Sequence, residues 1–516
     1  MALVQNWARD VVRSHTSTLI WSALVLGLVG VIALTLSAQQ RRTILDHLGL
    51  TAPRIPNLEV PRSPSLGQKA VPPTRGEYAT TLPPSQRHVL DKVRLSLPDG
   101  QNVGLGEVVV DEDTFYQNLV GFEEDYRECD QNKFLPSGLR IREIDEIGDF
   151  PDFELLTEVS HPRPYHEFDI DKALPRPYRP LRWPYHQTMS LSKLEPDWWI
   201  ELESSYRARI AQRKTLFEKD GEAILAYLPG SDLACKELME MALQYVVHRY
   251  PHYFSLSHNI PSSNGDRETT TIFHNKILNV STDVYSIHPL HVLLEHIPED
   301  FVLMLRDPNT GQYIFRAGMI CSSLGWNLGS KFGLQLAQIH HPVPHYESKM
   351  KFSMDRFFAK LPCSRPIQRG SWGFEVDQPL YMAPGDPAEE LYKKQQYPGL
   401  TAERIHVRVD WQTLRRLPLS AGIVFNFKAL FTPLTELRDE PYVPSLCLKV
   451  LREGNEGILK YKNTWHTEHV VVPALEAYEA EQISKGIMKE DWEAQTLDES
   501  PFFPGWEAKW RARQGF

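Results

Sequence analysis

Along the first forty residues the hydrophobic pattern has no period at all. From Thr16 to Ala38 the chain reads TSTLIWSALVLGLVGVIALTLSA without a charge. Its core, Leu19 to Leu36, would span roughly 27 Å as a helix, close to the hydrocarbon thickness of a bilayer. The apolar part of a cleaved signal peptide is shorter, about 7–15 residues, and ends at a small-residue site. This run instead continues into Gln39, Gln40, Arg41 and Arg42. A retained transmembrane anchor at residues 16–38 is therefore expected. Arg41, Arg42 and Arg54 behind the span, against Arg9 and Arg13 before it, favour a cytosolic body. The sequon Asn279-Val280-Ser281 argues the other way. The expected placement is a single-pass protein of the endoplasmic reticulum with its body in the cytosol.

Beyond the span the pattern becomes periodic. Trp198, Leu202, Tyr206 and Ile210 fall four apart, which predicts a helix over Pro196 to Phe217. A second helix is predicted from Leu233 to Tyr250, capped by Ser231 or Asp232. Leu328, Phe332, Leu336 and His340 repeat the same step, so residues 327–340 read as helical. Phe301–Leu305 and Tyr313–Ile320 flank Asp307-Pro308-Asn309-Thr310-Gly311, the chemistry of a hairpin turn. Ile405, Val407, Val409 and Trp411 alternate with His406, Arg408 and Asp410, the pattern of a half-buried strand. Ala421–Phe427 and Gly106–Val110 are further strand candidates. Helices precede a strand-rich second half, so the fold class is α+β with a mostly antiparallel sheet.

Composition sharpens this picture in three places. Eight of the 39 prolines lie between Pro53 and Pro84, the composition of an extended tether behind the anchor. A second proline-dense stretch, Pro162 to Pro184, is rich in Tyr, Trp and Arg and is expected to wrap a folded surface. The net charge of -10 speaks against nucleic-acid binding. Five scattered cysteines exclude a disulfide scaffold and a Cys-x-x-Cys zinc site.

No phosphate loop, dinucleotide turn, His-Glu-x-x-His, nucleophile elbow or Cys-x-x-Cys-His motif occurs. What remains is Leu334-Gln335-Leu336-Ala337-Gln338-Ile339-His340-His341-Pro342. His340 lies one helical turn beyond Leu336, just where Pro342 stops the helix. An imidazole there suits axial ligation of haem iron in an apolar pocket. It equally suits a helix-end histidine bonded to the last carbonyls. Arg356, Arg369, Arg408, Arg415 and Arg416 are basic enough to hold carboxylates such as haem propionates, or are plain surface charge.

The ordered motifs IHHPVPHY, DRFFAKL, RGSW and RVDWQTLRRLPLSAGIVFNFKALFTPL resemble the haem-dependent oxidative N-demethylase alpha-subunit-like family. So do LEPDWWIELESSYRARIAQRKTLFEKDGEAILAYLPG and PEDFVLMLRDPNTGQYIFRAGMICSSLGWNLGSKFG, while YRPLRWPYHQTMSLSKL resembles its fungal, membrane-anchored branch. The resemblance runs over about residues 165 to 440. It implies a PAS-like antiparallel sheet with flanking helices, and non-covalent haem b. It also implies O2-dependent removal of a methyl group from a small amine substrate with release of formaldehyde. Electrons would come from NADPH through a flavin-containing reductase partner, since this chain carries no flavin or nicotinamide motif.

Residue by residue, the resemblance makes His340 the axial metal ligand. Arg356, Arg369, Arg408 and Arg416 become candidates for propionate or substrate contacts, and Trp372 and Trp326 for pocket walls. Two departures stand out: Val409-Asp410-Trp411-Gln412 where the family has Val-Glu-Arg-Gln, and Arg369-Gly370-Ser371-Trp372 where it has Arg-x-Asn-Trp. A non-catalytic haem-binding sensor and a haem-free structural protein of the same fold are the alternatives. The expected organisation is an N-terminal tail at 1–15, the anchor at 16–38, a Pro-rich linker at 39–90 and an N-terminal extension at 91–160. The haem N-demethylase-like PAS-type domain would follow at 161–475, and a C-terminal tail at 476–516.

Overall fold

The alternation of Ile405 to Arg416 and the apolar run after it become the two central strands of a large sheet. The computed structural model describes residues 83–89, 112–186, 188–259, 270–388 and 394–515, all within one compact unit. Its strands are β1 (Ser192–Lys193), β2 (Leu225–Tyr227), β3 (Phe254–Asn259), β4 (Thr270–Asn275) and β5 (Val280–Asp283). They continue as β6 (Asp300–Arg306), β7 (Tyr313–Met319), β8 (Ile367–Val376), β9 (Ile405–Arg416) and β10 (Ile423–Pro433). Seven of them form one sheet in the order β1-β8-β9-β10-β6-β7-β2, antiparallel at every pairing. The other three, β3-β4-β5, form a separate antiparallel sheet.

Helices cover both faces of the large sheet. They are α1 (Tyr206–Asp220), α2 (Asp232–Arg249), α3 (Pro289–His296), α4 (Leu336–Ile339), α5 (Lys351–Lys360), α6 (Val443–Glu453), α7 (Glu456–Lys462), α8 (Trp465–Ser484) and α9 (Trp506–Gln514). Because side chains alternate along a strand, each strand feeds two cores. Val407, Val409 and Trp411 of β9, with Trp372 and Phe374 of β8, enter the larger core beside α2, α3 and α6. Leu414 of β9, Ile423 and Phe427 of β10, and Val302 and Met304 of β6 enter a second core, closed by Leu336, Tyr346, Met354 and Phe358. The candidate site lies on that second face.

The segment from Pro162 to Pro184 does wrap the body, held by buried charge pairs. Arg176 Nε donates to Glu201 at 3.2 Å, and Arg179 reaches Glu440 at 2.6 Å. The described part of the C-terminal segment, residues 476–515, also packs onto the body: Phe503 and Trp510 are buried, and Trp510 Nε1 donates to the Leu174 carbonyl at 2.9 Å.

Three expectations need correction. No helix among the described residues is long and apolar enough to cross a membrane. That overturns the single-pass architecture and the endoplasmic-reticulum placement derived from it. Residues 16–38, on which both rested, lie outside the described residues, as do those of the linker from 39 to 82 and the strand expected at Gly106–Val110. The helix predicted over Pro196–Phe217 instead begins at Tyr206, after a short 3-10 turn at Pro196–Trp198. Glu201 and Glu203 between them are buried against Arg176 and Arg209. Satisfying those carboxylates fixes a backbone path that helix propensity does not. The third, the helix over 327–340, shrinks to the four residues of α4, because Gly333 adopts a left-handed φ of 76°.

A cation-rich trough around His340

His340 is the C-cap of α4, so its ring leaves the helix just where the chain turns. Its Nδ1–H donates to the Leu336 carbonyl at 2.8 Å, and the ring stacks on Tyr346 with centroids 5.0 Å apart. A carbonyl only accepts, so this bond fixes the tautomer and leaves the Nε2 lone pair for a ligand. Burial, followed by the charges of Lys331 and Arg369, pushes the imidazole down to about 4, while the Leu336 bond opposes them. The ring is therefore neutral at physiological pH. His341, next in sequence, is exposed.

The sheet supplies the floor. Its register sets Arg369 of β8 opposite Gln412 of β9, and Gln412 opposite Phe427 of β10. The next row is Ile367, Leu414 and Phe425. Trp326 leans on Phe427 with centroids 6.1 Å apart, and Lys331 Nζ sits 4.0 Å over the Trp326 ring. Trp326, Phe425, Met189, Ile339 and Val343 are only partly buried. This apolar, partly covered face of the sheet is the trough.

Its charge is one-sided. Burial alone lowers Lys331 to about 8, and no acid pairs with it among the described residues. Arg369 is also depressed, first by burial, and its Nε is buried with no hydrogen-bond partner. Among the described residues neither cation has a carboxylate partner, and a partly desolvated cation without one is unfavourable, so an anion would relieve them. Small hollows also lie elsewhere in the described residues. One under the Leu119–Pro136 segment has about 60 Å³ and one under α9 about 70 Å³, room for a few waters.

Of the seven residues singled out by sequence, the structure brings three together: His340, Arg369 and Trp326. The other four lie elsewhere. Arg356 is on the exposed side of α5 while Met354 and Phe358 face the core. Trp372 falls on the opposite face of β8 from Arg369, packed on Tyr185 and Phe374. Arg416 is buried and donates to the carbonyls of Leu361 (2.6 Å), Ala421 (2.7 Å) and Phe358 and to the Tyr313 hydroxyl (3.1 Å). Arg408 bonds the Ser322 carbonyl at 2.5 Å, the Pro379 carbonyl at 2.8 Å and Asp410 at 3.0 Å. It supports the trough indirectly, because Ser322 begins the turn that carries Trp326.

Sequence reasoning missed Lys331, Tyr346 and the β10 pair Phe425 and Phe427. The last two were legible in the alternation Ile423-Phe425-Phe427 opposite Leu414; Lys331 sits in a glycine-rich turn with no pattern. One departure from the family motif also resolves. Trp411 faces the larger core, where its Nε1 donates to Gln368 at 3.0 Å, so it does not touch the trough.

The fold and site describe an α+β protein with one histidine and two unanswered cations on an apolar sheet face. The family model for haem-dependent oxidative N-demethylase, alpha subunit-like, matches residues 190–472, more than half of the chain. The chain belongs to that family.

The donor set fits haem. Nε2 of His340 is available for iron, the trough wall is aromatic and aliphatic, and Arg369 and Lys331 suit carboxylates. Thiolate ligation fits less well, since burial pushes the Cys321, Cys363 and Cys447 thiols up to about 12.

Proposed function

We propose that the trough holds haem and that the protein is an oxidative N-demethylase acting on a small methylated amine. The observation that carries this reading is the Arg369 guanidinium, whose buried Nε has no hydrogen-bond partner among the described residues, within electrostatic reach of an imidazole whose Nδ1 is already committed. In this reading His340 would hold the haem iron through Nε2, and Arg369 and Lys331 would answer the two propionate carboxylates. Haem b, when bound, supplies O2 activation and oxidation of the N-methyl C–H bond. The chain's own residues do the rest. The Leu336 carbonyl holds the His340 tautomer, Tyr346 fixes its plane, and Trp326, Phe425 and Phe427 exclude water from one side. With no flavin or nicotinamide motif in the chain, the electrons come from a flavin-containing reductase drawing on NADPH.

The test is the absorption spectrum of the full-length protein produced with haem supplied. A Soret band is expected, and His340→Ala should abolish it or shift it to that of unligated haem. Formaldehyde release from a panel of methylated amines, with a reductase present, then separates an enzyme from a haem sensor. A wild-type protein that takes up no haem would sink the reading.

A further inference from the structure

Lys462, the last residue of α7, comes from outside every motif considered above, yet it ends beside the trough. β1 pairs only with Ile367 and Gln368, so from Arg369 onward the outer edge of β8 has no strand partner. Lys462 covers that edge. Its Nζ donates to the Trp372 carbonyl at 2.7 Å and to Ser371 Oγ at 3.2 Å, and lies 4.8 Å from the Trp372 ring.

Covering one edge carbonyl needs one neutral donor, not a charge. An ammonium here is costly: burial, and then the nearby Arg369, lower Lys462 to about 8, partly offset by Asp410. Asp410 is not in ion-pair contact with it, because that carboxylate is held by Arg408 at 3.0 Å. Beyond these two bonds and the Trp372 ring, Lys462 Nζ has no carboxylate partner among the described residues, and Arg369 makes no hydrogen bond through its buried Nε. Ser371 stands at one of the two departures from the family motif; in place of an amide it presents a small hydroxyl that leaves room above the β8 edge.

We propose that Lys462 and Arg369 form a clamp for carboxylate at the free edge of β8, taking a propionate of the haem. This rests on the haem reading above and assigns the end of the trough remote from Lys331. A planar guanidinium and a point ammonium on adjoining positions reach the two oxygens of one carboxylate with charge-assisted bonds.

The experiment compares haem with its dimethyl ester, which keeps the ring and iron but removes both negative charges. Each is titrated by absorbance into the full-length wild type, Lys462→Gln and Lys462→Arg. The wild type should prefer haem by about tenfold or more, the range of one charge-assisted contact. Lys462→Gln should lose a measurable part of that preference, the remainder being held by Arg369 and Lys331, with ester affinity unchanged, and Lys462→Arg should keep it whole. Equal weakening of both ligands by Lys462→Gln would make the lysine a packing residue and overturn the clamp. So would an unchanged preference in that variant, or a wild type that binds haem and ester equally; both leave the haem reading standing. A wild type that binds neither overturns the haem reading and the clamp together.

Discussion

Arg369 and Arg416, on neighbouring strands, read alike in sequence and behave as opposites. Arg416 has carbonyls on every side and holds the end of β9 to α5. Arg416→Met should cost about 3–4 kcal/mol in urea unfolding, since several buried carbonyls lose their donor at once. Arg369 has none of that support. In ligand-free protein, Arg369→Met should raise stability by about 1 kcal/mol while weakening haem uptake, the trade expected of a group kept for binding. Reversed signs for the two variants would refute this assignment. Sequence could have separated part of the candidate set. Arg369 and Trp372 are three apart, so alternation puts them on opposite faces, but only once residues 367–376 are known to be a strand, where the sequence reads as a loop. It could not separate Arg369 from Arg416, because that difference is made by α5 and the 417–421 turn folding back onto one of them.

Among the elements, β9 was legible from its alternation over Ile405–Trp411, β10 from its apolar run, and α2 from its length and its N-terminal cap. The 327–340 helix was not. Its spacing of four is real, but a left-handed glycine outweighs three apolar matches. The residue that mattered survived the error, since α4 still ends at His340. α3 adds a pH dependence that no pattern announces. His296 at its end is buried, accepts from the Asn275 amide at 3.1 Å through Nδ1 and bonds Thr282 at 3.0 Å through Nε2. Burial lowers it to about 4, so the folded protein refuses a proton that the unfolded chain takes up near 6.5. Its contribution is therefore complete above about pH 6.5 and lost as pH falls through about 4. Buried Glu237 and Glu299, raised by burial to about 7, act in the opposite sense. The net curve of the wild type is blurred by this opposition. The clean measurement is the stability difference between wild type and His296→Gln, which should shrink by about 3 kcal/mol between pH 7 and pH 4. A difference independent of pH would contradict it.

At the scale of the molecule, the organisation was legible only as far as class. An α+β body with an antiparallel sheet follows from the pattern; the strand order does not, because it is decided by contacts across hundreds of residues. The proline-rich strap is the clearest case. Its composition announced a wrapped segment, but not that Arg179 would meet Glu440, both buried. Breaking that pair by Arg179→Met should cost about 3–5 kcal/mol, and adding Glu440→Leu should recover much of it. If the single and double variants unfold alike, the pair is not what fastens the strap.

The strand order also has a consequence for how the protein is made. β1 and β2 are synthesised early and stand at the two edges, whereas β9 and β10, which join the halves, come from residues 405–433. Chains emerge from the ribosome N-terminus first. The edges must wait, unpaired across the middle, until the centre arrives. The Lys462 end of the proposed site arrives later still, from α7, so the trough is incomplete until that helix has emerged. On the proposed reading, the complete site for haem would be present only on a chain whose C-terminal helices have folded.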